Sequence, residues 1–212
     1  MEARPKKVVH YISGNDTDSF ADWMEEIDGK AFDIVNIRLK RVANGNFGVA
    51  HGVGDGVSEL VIDFGPGYRV YFGQDGNTVV LLTGGTKRTQ TKDIARAKVS
   101  GRNTTVPKTT RDHQSWLIEK LSDAGRAASY LTSALEDSPE MFLEALRDVA
   151  QAQQMTKVAR KAGVTRETLY KLTSITGNPT LESLHSVLDA LDLKIEIRGK
   201  RRSRAAKQPI SR

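Results

Sequence analysis

The sequence predicts two unlike halves, an α+β layer followed by an all-helical domain. Three observations predict this. The first half moves from helical apolar spacing to short β-branched runs joined by "GPG" and "DGN". From "HQSWLIEKLS" onward, apolar residues recur at helical spacing. Between the two lies "GRNTTVPKTTR", which has no apolar period and reads as a linker. A chain of 212 residues is long enough for both parts.

The first half opens on "KKVVHYI", a short strand. In "DSFADWMEEI", Phe20, Trp23, Met24 and Ile27 form one helical stripe. In "AFDIVNIRLKRVANG", Phe32, Val35, Leu39 and Val42 form another, closed by Asn44-Gly45. "VSELVIDF", "YRVYFGQ" and "NTVVLLTG" then predict a three-strand antiparallel meander. "TQTKDIARAKV" is a closing helix, and all the helices are expected on one face of the sheet.

The second half predicts helices over "HQSWLIEKLS", "AGRAASYLTSALE", "EMFLEALRDVAQAQ" and "TLESLHSVLDALD". Asp137-Ser138-Pro139 stops one helix and starts the next, with proline at an early helical position. "LKIEIRG" alternates like a short strand. The expected boundaries are 1–101, a linker at 102–112, a helical domain at 113–198 and a basic tail at 199–212.

Composition sets outer limits. Hydrophobic residues at 38% and charged residues at 27% suit a globular protein, and no apolar run reaches the roughly 20 residues of a membrane span. The N-terminus has no cleavage pattern, so no signal peptide is expected. The absence of cysteine excludes disulfides and thiolate metal sites and suits a reducing cytoplasm. His10, His51, His113 and His185 are far apart in sequence, so neither a metal site nor a cofactor is expected. Residues 1–101 and 102–198 each carry 13 basic and 13 acidic residues. The tail carries 6 basic and no acidic ones, which accounts for the net charge of +6. Such an arm adds salt-sensitive phosphate attraction to a nearby DNA-reading element.

"MTKVARKAGVTRETLYKLTS" carries that element. Val158, Ala162, Val164, Leu169 and Leu172 fall where a helix-turn-helix buries apolar residues, and Ala159 is small where the helices cross. Gly163 falls at the turn, where positive φ is needed. Thr165 is the expected N-cap of the second helix, which presents Thr165, Arg166, Glu167, Tyr170 and Lys171 outward. Arg166 is placed to read guanine, with Tyr170 and Lys171 on the phosphate backbone. A single unit binds weakly, so a homodimer on an inverted repeat of operator DNA is expected.

"TTVPKTTRDHQSWLIEKLSDAGRAASYLTSALED", "FLEALRDVAQAQQMTKVARKAGVTRETLYKL" and "GNPTLESLHSVLDALDLKIEI" resemble the HigA-type, Xre-related antitoxins over about Thr105 to Ile197. That resemblance implies a DNA-binding antidote that autoregulates transcription and neutralises a toxin. "GNFG", "GDGVSEL", "GPGYRVYF" and "LLTGGTKRTQTKDI" resemble the HigB branch of the RelE-like toxins over about Val8 to Val99. This second resemblance implies cleavage of messenger RNA, in many members on the ribosome, by an endoribonuclease.

Metal-free RNA cleavage needs a group to take the 2′-hydroxyl proton, cations around the phosphorane and a donor to the leaving oxygen. Arg69 and Tyr71 share a strand face, and Lys87 follows Gly84-Gly85, where the backbone can approach a phosphate. Gln90 and Lys92 open the closing helix, whose N-terminus favours anions. Arg38 and Arg41 lie one helical turn apart. Arg69 and Lys87 are therefore expected on the scissile phosphate and Tyr71 in base stacking or proton transfer. Arg38, Arg41, Gln90 and Lys92 are expected to bind RNA. Against the toxin pattern, Val61 replaces an Arg, His51 a Lys and Thr86 an Asp. The lost cations predict an attenuated toxin half.

Joining the halves predicts inhibition in cis, with the antitoxin half covering or distorting the Arg69–Lys87 face. The alternative is a transcriptional regulator whose toxin-like half is inactive and serves as an interaction or dimerisation module.

Overall fold

The computed structural model describes residues 4–101 and 109–197. Among them the fold is mixed α/β, with one six-stranded sheet and nine α-helices. The N-terminal half runs β1 (Lys7–Tyr11), α1 (Ser19–Glu26), α2 (Gly29–Ala43), β2 (Ala50–Gly54), β3 (Val57–Ile62), β4 (Tyr68–Asp75), β5 (Thr78–Thr86) and α3 (Gln90–Gly101). The C-terminal half runs β6 (Thr110–Asp112), α4 (His113–Lys120), α5 (Ala124–Asp137), α6 (Pro139–Ala152), α7 (Met155–Lys161), α8 (Arg166–Leu172) and α9 (Leu181–Ala190). The strand order is β2-β3-β4-β5-β1-β6, with β1 parallel to β5 and every other pair antiparallel.

The meander has four strands rather than three. β2 escaped sequence reading because "AHGVG" contains two glycines and lies at the sheet edge, with its ladder shifted between Gly52 and Gly54. Thr110–Asp112, expected in the linker, instead pair with β1 as Val9↔Asp112, His10↔Arg111 and Tyr11↔Thr110. A three-residue polar strand has no apolar alternation to betray it. Leu193–Ile197, expected as a strand, has no regular structure. Residues 102–108 of the linker and the basic tail lie outside the described residues.

The helices do not all lie on one face. Strand alternation sends Val8, Leu60, Val70, Phe72, Val79 and Leu81 into a core with α1 and α2. It sends Val9, Val57, Tyr71, Val80 and Leu82 to the opposite face, where they meet Ala97 of α3. Gly84 and Gly85 show both approaches. A Cβ on Gly84 would strike Trp23 of α1, and one on Gly85 would strike the carboxylate of Asp93 in α3. Both glycines lie inside β5, so close packing on either face accounts for the pair.

The larger core continues into the C-terminal half. Phe32 of α2 packs against Trp116 of α4 with ring centroids 5.7 Å apart, and the Arg126 guanidinium lies 4.5 Å from the Phe32 centroid. Leu117, Leu121, Tyr130 and Leu131 join the same apolar cluster as Phe20 and Leu39. No helix among the described residues is long and apolar enough to cross a membrane.

Candidate functional site

The α3 face gathers several of the expected RNA-site residues. Val61 stands directly opposite Arg69, which stands opposite Gly85. One step along, His51 pairs with Glu59, Glu59 with Tyr71, and Tyr71 with Thr83. A Cβ built on Gly67 would lie 3.5 Å from Arg69 Nη1 and 3.6 Å from Lys87 Cβ, so Arg69 and Lys87 flank one turn. Lys87 and Lys92 are exposed, whereas Arg69 is half-buried, donates from Nη1 to the Tyr68 carbonyl at 2.9 Å and leaves Nε without a partner.

Tyr71 is fully buried under α3, and its hydroxyl has no partner. Burial pushes its pKa up to about 12, helped by the Glu59 and Asp93 carboxylates and opposed by Arg69. Glu59 and Asp93 are buried here too. Gln90 donates to the Glu59 carboxylate at 2.9 and 3.2 Å, and Thr89 donates to Asp93 at 2.5 Å. Neither acid was among the expected site residues. Period-two spacing from Val61 would have found Glu59, but the contact between Asp93 and Gly85 is long-range and left no local signal.

Arg38 and Arg41 do not join this group. They lie on α2, across the sheet from Arg69. Arg38 donates to the Phe47 carbonyl at 3.0 Å and lies against Gly48, whose φ of +55° and lack of a Cβ make room for the guanidinium. Arg41 makes two bonds to one oxygen of Asp137, at 3.1 and 2.6 Å.

The second group lies on α7, α8 and the turn between them. Val158, Ala159 and Leu169 are buried, and Gly163 has φ of +70°. Thr165 caps α8, accepting from the Thr168 amide at 3.0 Å. Thr165, Arg166, Glu167 and Lys171 are exposed, and Tyr170 is half-buried. The Arg166 guanidinium lies 5.5 Å from the Tyr170 ring centroid and donates to its hydroxyl at 3.5 Å, which lowers the Tyr170 pKa. The five expected DNA-site residues are thus together on one small element.

The family model of the probable addiction module antidote proteins matches residues 114–199, which begin within α4 and take in α5 to α9. An uncharacterised protein of Haemophilus influenzae is 47% identical over 83 residues, covering 38% of this chain and 84% of that protein. A second uncharacterised protein of the same organism is 42% identical over 86 residues, covering 40% of this chain and 89% of that protein. Residues 114–199 belong to the probable addiction module antidote family. No solved structure matches it. Membership implies a role related to toxin–antitoxin systems, with a toxin as partner in general terms.

The antidote segment meets the N-terminal half through α2, β1 and the N-terminus of α4. Lys40 donates to Gln114 at 3.0 Å and to Asp148 at 2.7 Å, and Asp148 also accepts from Gln114 at 2.7 Å and Tyr130 at 3.2 Å. The Asp148 side chain is 1% exposed and that of Lys40 16%, so the pair lies largely out of solvent. Asn44 donates to Glu144 at 2.9 Å, and Lys30 pairs with Glu136. Asp33 is buried and accepts from Ser129 at 2.5 Å and Ser133 at 3.1 Å. Burial raises its pKa, opposed by the two hydroxyls.

A histidine pair closes the seam. His10 bonds Asp18 through Nδ1 at 2.8 Å and His113 through Nε2 at 3.0 Å. Both histidines are buried, and His113 Nε2 has no partner. Burial depresses the His113 pKa well below the usual histidine range, and His10 and Lys40 depress it further. All of these contacts lie away from α3. The expectation that the antitoxin half covers the Arg69–Lys87 face is therefore corrected: that face is covered by α3, and the antidote helices pack across the sheet from it.

Proposed function

We propose that the chain is a toxin–antidote fusion. Its N-terminal half is an attenuated RNA-cleaving toxin held in check in cis, and its antidote segment reads operator DNA through α8. The observation that carries this is the seam itself. Three cations of α2, Lys30, Lys40 and Arg41, meet Glu136, Asp148 and Asp137 of the antidote segment above one shared apolar core. Partners that evolved to bind each other make such contacts, and here they are intramolecular, so the local concentration of antidote is high at any dilution.

In this reading Arg69, Lys87 and Lys92 supply cations to the phosphorane, and no metal is required. Tyr71 takes part only after α3 lifts, because its hydroxyl is sealed and its pKa is too high for a resting base. Restraint has two sources, α3 over the site and the antidote segment bound to α2. Arg41, expected on RNA, is occupied by Asp137 while the seam is closed. On DNA, Arg166 reads a base edge, Lys171 and Tyr170 hold phosphates, and two copies meet an inverted repeat.

Val61 opposite Arg69 favours a second reading, a regulator whose N-terminal half is catalytically silent and serves as an interaction module. One experiment on the intact chain separates the two. RNA cleavage and operator binding are measured for the native chain, for Asp137→Arg to loosen the seam and free Arg41, and for Asp137→Arg with Val61→Arg. The fusion reading expects cleavage to rise at each step, by about tenfold at the last, which needs only about 1.4 kcal/mol in the transition state. Arg69→Ala should abolish the gain. Three folded chains that bind DNA but never cut RNA leave the regulator reading.

A further inference from the structure

α3 is tied to the sheet near both ends. At its start, Gln90 donates to the carboxylate of Glu59 in β3 at 2.9 and 3.2 Å. Toward its end, Lys98 pairs with Asp55 at 3.7 Å. The second tie is long and partly exposed, so it holds little, whereas Glu59 is buried. The polar groups near the first tie are poorly matched. The Tyr71 hydroxyl and Arg69 Nε can each donate, and neither meets an acceptor. Closing α3 strips them of water and leaves them unpaired. At the same end Lys87, Arg88 and Lys92 are exposed, and among the described residues none of the three forms an ion pair. Cations at the start of a helix oppose its dipole, so this end of α3 suits an anion better than it suits the helix itself. With Arg69 these cations outnumber the buried carboxylates of Glu59 and Asp93.

We propose that the Gln90–Glu59 contact is a latch and that a strand of RNA opens it. A phosphodiester entering between the start of α3 and β4 gives Arg69 Nε and the Tyr71 hydroxyl the acceptor that they lack. Lys87 and Lys92 then close on its outer oxygens. Gln90 leaves Glu59 as α3 lifts, so the latch is broken and the phosphate bound in one equilibrium. The ligand shifts that equilibrium because it makes contacts in the open state that the closed state denies it. Gln90, expected as an RNA ligand, acts here as the guard of the site. The inference deepens the reading of the α3 face as an RNA site and rests on it, but it does not require that the RNA be cut.

The chain contains no cysteine, so a single one reports cleanly. Thr83 is 1% exposed and stands directly opposite Tyr71, so full-length Thr83→Cys places a thiol under α3. Its rate of labelling by a thiol reagent measures opening. In that background Gln90→Ala should speed labelling at least about tenfold, because it removes the latch. It should tighten binding of a 2′-O-methyl RNA strand, which cannot be cut, by the same factor, since apparent affinity scales with the open fraction. Gln90→Ala adds no charge, so electrostatics alone cannot produce that gain. Gln90→Glu with Glu59→Gln exchanges donor and acceptor across the same contact and should label as slowly as Thr83→Cys alone. Hydrogen exchange in α3, measured without the cysteine, should rank the chains in the same order. Unchanged labelling in Gln90→Ala, faster labelling without tighter RNA binding, or a reversed pair as open as Gln90→Ala would overturn the inference. So would a polyglutamate peptide that binds as tightly as the RNA, which would make an acidic protein the partner. A latch that behaves as expected in a chain that never cuts RNA would leave this inference standing and remove the catalytic reading instead.

Discussion

One face of the sheet shares its core with the antidote segment, while the other carries α3 alone over a small apolar cluster and a group of polar side chains. On the first face the charged groups are paired, although Asn36 Oδ1, His113 Nε2 and Arg147 Nε have no partner. Asp148 has three donors, Asp33 has two hydroxyls and Arg41 has a carboxylate. On the second they are mismatched: Tyr71 has no partner, Arg69 Nε has none, and Glu59 and Asp93 lie close enough to Tyr71 to raise its pKa. Paired charges around a large core resist opening. A single helix over a small apolar cluster opens at lower cost, which is where a working site is expected.

The comparison is broken most directly at Asp148. Asp148→Ala strips Lys40 of its buried partner, and we expect a loss of about 3–5 kcal/mol in denaturant unfolding. Glu136→Ala removes an exposed partner of Lys30, so the loss should stay below about 1 kcal/mol. Equal losses from the two would mean that the seam is not the strong face. Gly85→Ala tests the other face. The new Cβ must displace Asp93, so α3 should loosen at a cost of about 1–3 kcal/mol. Hydrogen exchange should then quicken in α3 before it does in α2. Faster exchange in α2 first would reverse the assignment.

The seam also carries a pH dependence. The folded pKa of His113 lies below its unfolded value of 6.5, because burial, His10 and Lys40 all disfavour the cation. Below pH 6.5 the unfolded chain therefore binds a proton that the folded chain does not. Stability from this group is full above pH 6.5 and is lost as pH falls, at no more than about 1.4 kcal/mol per pH unit for one proton. Asp18 is the carboxylate facing the pair. Burial raises its pKa, but bonds from His10 and Ala21 and the nearby Arg111 more than offset this and leave it lowered, so its contribution fades only in stronger acid. Unfolding curves between pH 7 and 5 should show a slope that His113→Gln reduces. An unchanged slope would place the titration elsewhere.

These contrasts were unequally legible in the sequence. The α7–α8 element could be read because it is local: within some twenty residues Gly163 takes its positive φ, Thr165 caps α8 and Val158, Ala159 and Leu169 are buried, while Ala162, Val164 and Leu172, expected buried, are only half-buried. The helical stripes of α1 and α2 were legible for the same reason. The position of α3 was not, because only pairing register and the Gly84 and Gly85 contacts fix which face it takes. The seam was illegible too. Lys40 and Asp148 are 108 residues apart, and each alone looks like a solvated helix charge. β6 was hidden inside a polar stretch, while "LKIEI" alternates like a strand but has no regular structure.

The smallest expected effect is the most specific. Tyr71→Phe removes only a hydroxyl that is buried, makes no hydrogen bond and lies near two carboxylates. Glu59 keeps its bonds from Gln90, and Asp93 keeps its bond from Thr89. The ring, which fills the cluster with Val57 and Leu82, is retained. Relief of an unsatisfied polar group offsets the slight packing that the oxygen itself supplied, so stability should change by less than about 1 kcal/mol in either direction. A residue with so little to do in the closed fold then isolates chemistry from packing. In the Asp137→Arg, Val61→Arg chain, Tyr71→Phe should lower RNA cleavage while leaving the unfolding midpoint in place. A destabilisation above about 2 kcal/mol would mean that the hydroxyl has a partner in the folded protein. An unchanged midpoint with unchanged cleavage would leave Arg69, Lys87 and Lys92 as the whole of the site and give the proton to another group, of which Glu59 is the nearest titratable one across the ladder.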